Sequence, residues 1–194
     1  VIPSAELSEE FTERGIPSEK LLPFGIPVNR KFTLSFSQQE ARKRPGLPEK
    51  GLCCLLAGGS IGAGSIPQAA DILRTFLAGE ENGTLVILCG KRRGLYERLC
   101  KKYQADSRVL VLESTPRMAE YMRACDIFLT KPGGLSSTEA AVSGVPLILL
   151  SPIPGCETHN AAWFSSHRMA LTAEHPQTEL LSALTAMQNV HGLK

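Results

Sequence analysis

Aromatic residues are scarce in this chain, with one Trp, three Tyr and seven Phe among 194 residues, and the net charge is only +2. A nucleic-acid surface needs stacking rings or a dense basic face, so both shortages argue against one. No apolar run approaches the roughly 20 residues that span a membrane as a helix. Internal repeats and low-complexity tracts are missing too, which excludes solenoids. Cysteine is present, but no Cys-x-x-Cys pair and no Cys/His set stands at the spacing of a metal site. Three of the six cysteines, Cys53, Cys54 and Cys89, fall inside apolar runs. We read them as buried, reduced thiols acting as small hydrophobes, which points to the cytosol.

What remains is an ordinary globular composition, 43% hydrophobic and 21% charged, long enough for one full-sized domain and an appendage. The chain opens VIPSAEL without an initiator methionine. We read it as a segment of a longer protein, so a missing targeting signal carries no weight.

From Gly51 onward, apolar runs alternate with amphipathic stretches. LCCLLA (52–57), TLVILC (84–89), RVLVL (108–112), DIFLT (126–130) and PLILLS (146–151) are short and apolar throughout, as strands covered on both faces are. Ile66, Ala69, Ala70, Leu73, Phe76 and Leu77 make one helical stripe, and Leu95, Leu99 and Tyr103 another. A closing helix is expected over 178–190. This alternation predicts an α/β fold, a Rossmann-like doubly wound parallel sheet. Residues 1–32 are Pro-rich and broken, with one short helix near Ser8–Arg14, and read as the tail of a preceding domain plus an interdomain segment. Residues 33–50 read as a linker carrying a polar helix and a Pro/Gly hinge at Pro45–Pro48. Residues 51–194 form the main domain.

LLAGGSIGAGSIP places Gly58, Gly59, Gly62 and Gly64 between the first strand and the first long helix. Glycines there let backbone N–H groups approach a ligand, and a helix N-terminus favours an anion, so a phosphate cradle is expected. Gly58, Gly62 and Gly64 also fit the GxxxGxG spacing of short-chain dehydrogenases, which keeps an NAD(P)-dependent reductase open as an alternative. Against it, GxGxxG fails at Pro67, no Tyr has a Lys four residues later, and the Lys-Ser/Thr of a P-loop is missing.

A second glycine turn, Gly133-Gly134, follows DIFLT and precedes a helix whose N-cap is expected at Ser136 or Ser137. Glu139 is then expected in the first helical turn, as a ribose acceptor or as a capping-box glutamate. Glu157 and Asn160 in PIPGCETHN are candidates for sugar hydroxyls, and His159 reads as a solvated loop residue. The basic cluster at 91–102 reads as a solvated helix face.

KPGGLSSTEAAVSGVPLILLSPIPGCETHNAAWF, with FGIPVNRKF, LLAGGSIGAG, ILCGKRRGLYERL and MAEYMRACDIFLTKPGG upstream of it, resembles the C-terminal half of family 28 glycosyltransferases. The likeness covers nearly the whole chain. It is strongest to the processive diacylglycerol glucosyltransferase and monogalactosyldiacylglycerol synthase groups. The resemblance implies a GT-B fold whose C-terminal half holds a UDP-hexose donor. Gly59 and Ser60 would contact the diphosphate, with Gly133 and Gly134 beside them, and Gly62 and Ser136 would belong to the same donor site. Glu139 would hold the ribose, and Glu157 and Asn160 would face the sugar. The uracil would lie near Phe24–Val28 or along the strand before Met118. The same resemblance implies inverting transfer to a lipid acceptor and no cofactor or metal. It places the general base in a missing N-terminal domain, and the whole protein peripherally on the cytoplasmic membrane face. One position departs from the pattern: Cys156 stands where the family has Gln, and a thiol cannot reproduce a carboxamide's hydrogen bonds. A noncatalytic sugar-nucleotide-binding module is therefore a further alternative.

Overall fold

A computed structural model describes residues 1–34, 36–59 and 66–192 of the chain. Six strands, β1 (Cys53–Ala57), β2 (Thr84–Leu88), β3 (Val109–Leu112), β4 (Ile127–Thr130), β5 (Leu147–Leu150) and β6 (Leu171–Ala173), make one sheet in the order β3-β2-β1-β4-β5-β6. Every neighbouring pair is parallel. The predicted α/β class and doubly wound sheet are therefore present. Eight α-helices are described: α1 (Ser8–Glu13), α2 (Gln38–Lys43), α3 (Ile66–Phe76), α4 (Arg93–Tyr103), α5 (Met118–Ala124), α6 (Gly134–Ser143), α7 (Cys156–Ser166) and α8 (Pro176–His191).

The pleat divides each central strand between two cores, because alternate side chains leave opposite faces. Cys54 and Leu56 of β1 join Leu85, Ile87, Ile127, Leu129 and Ile148 under α3, α4 and α8. Cys53, Leu55 and Ala57 join Val86, Phe128, Leu147 and Leu149 under α5, α6 and α7. A strand whose two faces are both buried must be apolar at every position, which is why these runs carry no polar alternation. The expectation of full cover is too strong for RVLVL. All four residues of β3 are only partly buried, because it is an edge strand. The opposite edge, β6, has no counterpart among the predicted strands. It is three residues long with Thr172 at its centre, too short and too polar to register as a run.

Residues 33–50 are tied firmly to the domain. Ser37 and Glu40 form a capping box that starts α2, and Ala41 and Leu47 are buried in the second core, where Phe32 of the preceding segment joins them. Arg42 then reaches inward. Its guanidinium donates to Asp126 Oδ2 (2.7 Å) and to the carbonyls of Ala124 (2.9 Å) and Gly51 (3.0 Å). Asp126 in turn accepts from the Cys53 N–H (2.7 Å) and from Gln38 (2.8 Å).

The leading segment is held at a second place. The Glu6 carboxylate accepts from Trp163 Nε1 (2.7 Å) and meets His167 Nε2 (2.9 Å), while His167 Nδ1 meets the Trp163 carbonyl (2.8 Å). Both ring nitrogens face acceptors, so this geometry favours the imidazolium. The Trp163 carbonyl first, and Glu6 second, hold the His167 pKa above its usual range. Trp163 first, and His167 second, hold Glu6 below the carboxylate range. The contact is complete above the ordinary Glu value of about 4.3 and below the ordinary His value of about 6.5. It is lost as pH falls through the lowered Glu6 pKa or rises through the raised His167 pKa. Trp163 is the only tryptophan and stacks on His167 at 4.2 Å, so its fluorescence should report a transition above pH 6.5. Glu6→Gln should shift that transition to lower pH. A profile identical in the two proteins would refute the contact.

Candidate functional site

In this strand order β1 and β4 are neighbours although two strand–helix units separate them in sequence. That is the point where an open α/β sheet splays into a crevice at its carboxyl edge. Ala57, the last residue of β1, pairs with Thr130, the last of β4. The two glycine turns thus leave the sheet side by side. Gly59 has φ +70°, a conformation glycine adopts without strain, and a Cβ there would meet no described residue within 4 Å. Ser60, expected on the diphosphate, and Gly62, expected in the same donor site, lie outside the described residues.

After β4 the chain runs Lys131-Pro132-Gly133-Gly134 into α6. The structure corrects the expected helix start. The N-cap is Gly133, and the carbonyl of Gly133 already accepts from the Ser137 N–H (3.0 Å). Ser136 and Ser137 therefore lie inside the helix, and the hydroxyl of the buried Ser137 finds no partner among the described residues. Gly133 has no side chain to cap with, and no described side chain takes up the first-turn N–H groups, which suits a ligand or water. Gly134 is hemmed in, since a Cβ there would stand 3.3 Å from Ile26 and 3.9 Å from Asn160 Nδ2. The Phe24–Val28 segment thus passes across the second glycine turn.

The earlier helix start moves Glu139 from the first turn to the second and removes the capping-box reading. The Glu139 carboxylate makes no hydrogen bond or ion pair with a described residue. Burial pushes its pKa up, and the Lys31 ammonium offsets part of that rise. Lys31 sits in a short 3-10 helix, Arg30–Thr33, that packs on α6.

PIPGCETHN is a loop only as far as Gly155. Gly155, at φ +107°, turns the chain into α7, and the Gly155 N–H donates to Thr158 Oγ1 (3.2 Å). Cys156, Glu157, His159 and Asn160 are helical, with Cys156 and His159 exposed. The helix escaped the sequence reading because its first turn carries no apolar stripe, and only Ala161 and Phe164 of its residues are buried. Glu157 and Asn160 both turn toward the second glycine turn. Glu157 Oε2 accepts from the Ile153 N–H (2.8 Å) and pairs with Lys131 Nζ (3.5 Å). Asn160 Nδ2 donates to the Pro132 carbonyl (2.9 Å). Ser151, just past β5, is held at φ +42°, an uncommon backbone for a side-chain-bearing residue at a site-forming loop. Lys131 was missed in the sequence. Its signal is a lysine at the carboxyl end of a buried strand, directly before Pro-Gly-Gly.

The basic cluster at 91–102 lies on and just before α4, outside this crevice. Arg93 pairs with Glu97 (2.9 Å), and Lys102 pairs with Asp71. Among the described residues no helix is long and apolar enough to cross a membrane.

Residues 53–189 match the model of the glycosyltransferase family 28 C-terminal domain. The processive diacylglycerol beta-glucosyltransferase of Staphylococcus saprophyticus is 30% identical over 182 residues, which are 93% of this chain and 46% of that protein. The chain thus spans about half the length of the curated relatives it matches. Among solved structures, the glycosyltransferase WaaG of lipopolysaccharide biosynthesis aligns with a TM-score of 0.64 at 20% identity, over 97% of this chain and 53% of WaaG. UDP-GlcNAc 2-epimerase from Neisseria meningitidis, bound to UDP-GlcNAc, aligns at 0.63 and 12% identity, over 99% and 55%. These likenesses establish the fold, the Rossmann-like half of a GT-B architecture. The reductase alternative finds no support among them. On the match of its residues 53–189, this chain belongs to the glycosyltransferase family 28 C-terminal domain family.

Proposed function

We infer that the chain is the donor-binding part of an inverting glycosyltransferase that moves a hexose from a UDP-hexose to a lipid hydroxyl such as that of diacylglycerol. Residues 51–194 form the sugar-nucleotide domain. Residues 1–32 belong to the tail of the preceding domain and the interdomain segment, and 33–50 link the two. The observation that carries this reading is Glu139, a half-buried carboxylate without a hydrogen-bond or ion-pair partner among the described residues, near a helix start at the topological switch point that no described side chain caps. A ribose offers two adjacent hydroxyls to such an acceptor, and a diphosphate fits N–H groups that no described side chain satisfies. Gly59, Ser60, Gly62, Gly133, Gly134 and Ser136 line the diphosphate path, with Glu157 and Asn160 toward the sugar.

Transfer requires a base to take the proton from the acceptor hydroxyl as its oxygen attacks the anomeric carbon. The bond to the diphosphate breaks with inversion, and the N–H groups of the two glycine turns take up the developing charge. Base and acceptor groove are assigned to the other half of the protein, which also makes the peripheral membrane contact. The chain alone binds donor without transferring it, and no cofactor takes part.

Calorimetric titration with UDP, UDP-glucose, UDP-galactose and NADH tests the reading. Binding of the UDP compounds and not NADH is expected, and binding of NADH alone would overturn it. Cys156, exposed where the family carries Gln, supports a second reading as a noncatalytic module. Cys156→Gln in the whole protein should leave a binding module inactive but raise the turnover of an enzyme.

A further inference from the structure

Among the described residues the crevice contains a charged pair of which the donor-site reading uses only the carboxylate. Lys131 Nζ lies 3.5 Å from Glu157 Oε2, and both side chains are largely shielded, at 11% and 18% exposure. Glu157 is the only partner of that ammonium among the described residues. The pair bridges two adjacent strands' outlets, since Lys131 follows β4 and Glu157 opens the helix after β5. The next residues along make a parallel brace, Asn160 Nδ2 to the Pro132 carbonyl. Glu157 and Asn160 are spaced i, i+3 on α7 and face the same way, so two consecutive residues of the glycine turn grip one face of that helix.

The two carboxylate oxygens of Glu157 have different duties. Oε2 is occupied by the Ile153 N–H and by Lys131. Oε1 has no partner among the described residues and is the atom free to accept from a ligand hydroxyl. A carboxylate on three rotatable bonds is a poor recognition element until something fixes its plane, and a ligand must otherwise meet that ordering cost.

We propose that Lys131 is a positioning residue for the donor's sugar, acting through Glu157: it holds Oε2 so that Oε1 is presented to the pyranose hydroxyls. This inference rests on the donor-site reading above. It assigns Lys131 to the hexose and not to the diphosphate, although an ammonium next to two glycines suits either. The two assignments differ in what UDP alone would detect.

The experiment is a calorimetric comparison of UDP, UDP-glucose and UDP-galactose on the wild-type chain, Lys131→Met, Lys131→Arg, Glu157→Gln and the Lys131→Met/Glu157→Gln double variant. Methionine keeps the length and apolar stem of lysine, and the Asn160–Pro132 brace remains. Lys131→Met is expected to melt cooperatively and bind UDP within about twofold of wild type. It should bind the preferred UDP-hexose about tenfold more weakly, the scale of one misplaced hydrogen bond. Lys131→Arg should recover most of the loss. In the Glu157→Gln background Lys131→Met should cost nothing further, because a residue that acts through another has nothing left to act on. Equal losses for UDP and UDP-hexose would overturn the inference in favour of a diphosphate contact. Additive losses in the double variant, or failure of Lys131→Met to melt cooperatively, would also overturn it. A wild-type chain that binds none of the three overturns the donor-site reading as well. Wild-type binding with an insensitive Lys131 overturns this inference alone.

Discussion

Arg42→Met is expected to lower the unfolding free energy by about 3–5 kcal/mol, the range for stripping one partner from a buried ion pair. The side chains of Arg42 and Asp126 are 5% and 14% exposed. Methionine fills much of the arginine's volume, so the loss is not chiefly one of packing. It comes from Asp126, left shielded with its charge uncompensated, from the Gly51 carbonyl, left without a donor among the described residues, and from the Ala124 carbonyl, left with only the longer Gln38 contact at 3.3 Å. In a chain of this size the melting temperature should fall by roughly 10 °C. An exposed pair such as Arg14–Glu10, at 71% and 53%, is worth well under 1 kcal/mol by comparison. Urea titrations of Arg42→Met, Asp126→Asn and the Arg42→Met/Asp126→Leu double variant would check this. The double variant should recover part of the loss, because neither charge then stands alone. Single variants within about 1 kcal/mol of wild type would show that the cluster does not anchor the 33–50 segment.

Glu139→Ala should weaken UDP binding by about 1–3 kcal/mol, or roughly five- to 150-fold in dissociation constant, the cost of removing a charged acceptor from two hydroxyls. A stability measurement on the same position separates a ligand-binding carboxylate from a structural one. Burial raises the Glu139 pKa above its unfolded value. Its effect on stability is therefore most favourable below the ordinary carboxylate value and is lost as pH rises through the raised pKa. At pH 7 the ionised group costs stability, so Glu139→Gln should melt no lower than wild type while binding UDP less well. Destabilisation accompanied by unchanged UDP affinity would remove Glu139 from the ribose role. UDP affinity should also weaken on acidification through the raised pKa, since only the ionised form accepts from both hydroxyls.

The alternation of apolar strands and amphipathic helices was legible because a residue's neighbours along the chain determine which face it presents. LCCLLA read correctly as a strand since both its faces are buried. The same logic missed α7, whose first turn is polar because it faces a crevice, and β6, whose edge position leaves little to bury. The glycines at 58–59 and 133–134 were visible as turns ahead of helices. Where α6 begins was not, because the Gly133 carbonyl starts the helix without a capping side chain to mark it.

Local pattern thus determined the class of the fold and the two glycine turns. The order β3-β2-β1-β4-β5-β6 was decided only by tertiary structure. That order sets Gly59 beside Gly133, brings Arg42 to Asp126 across 84 positions, and joins Lys131 to Glu157 across 26. Hydrophobic periodicity is local, whereas strand adjacency depends on closing long loops against a shared core. A charge can signal that it needs a partner, but only the packed sheet selects which one.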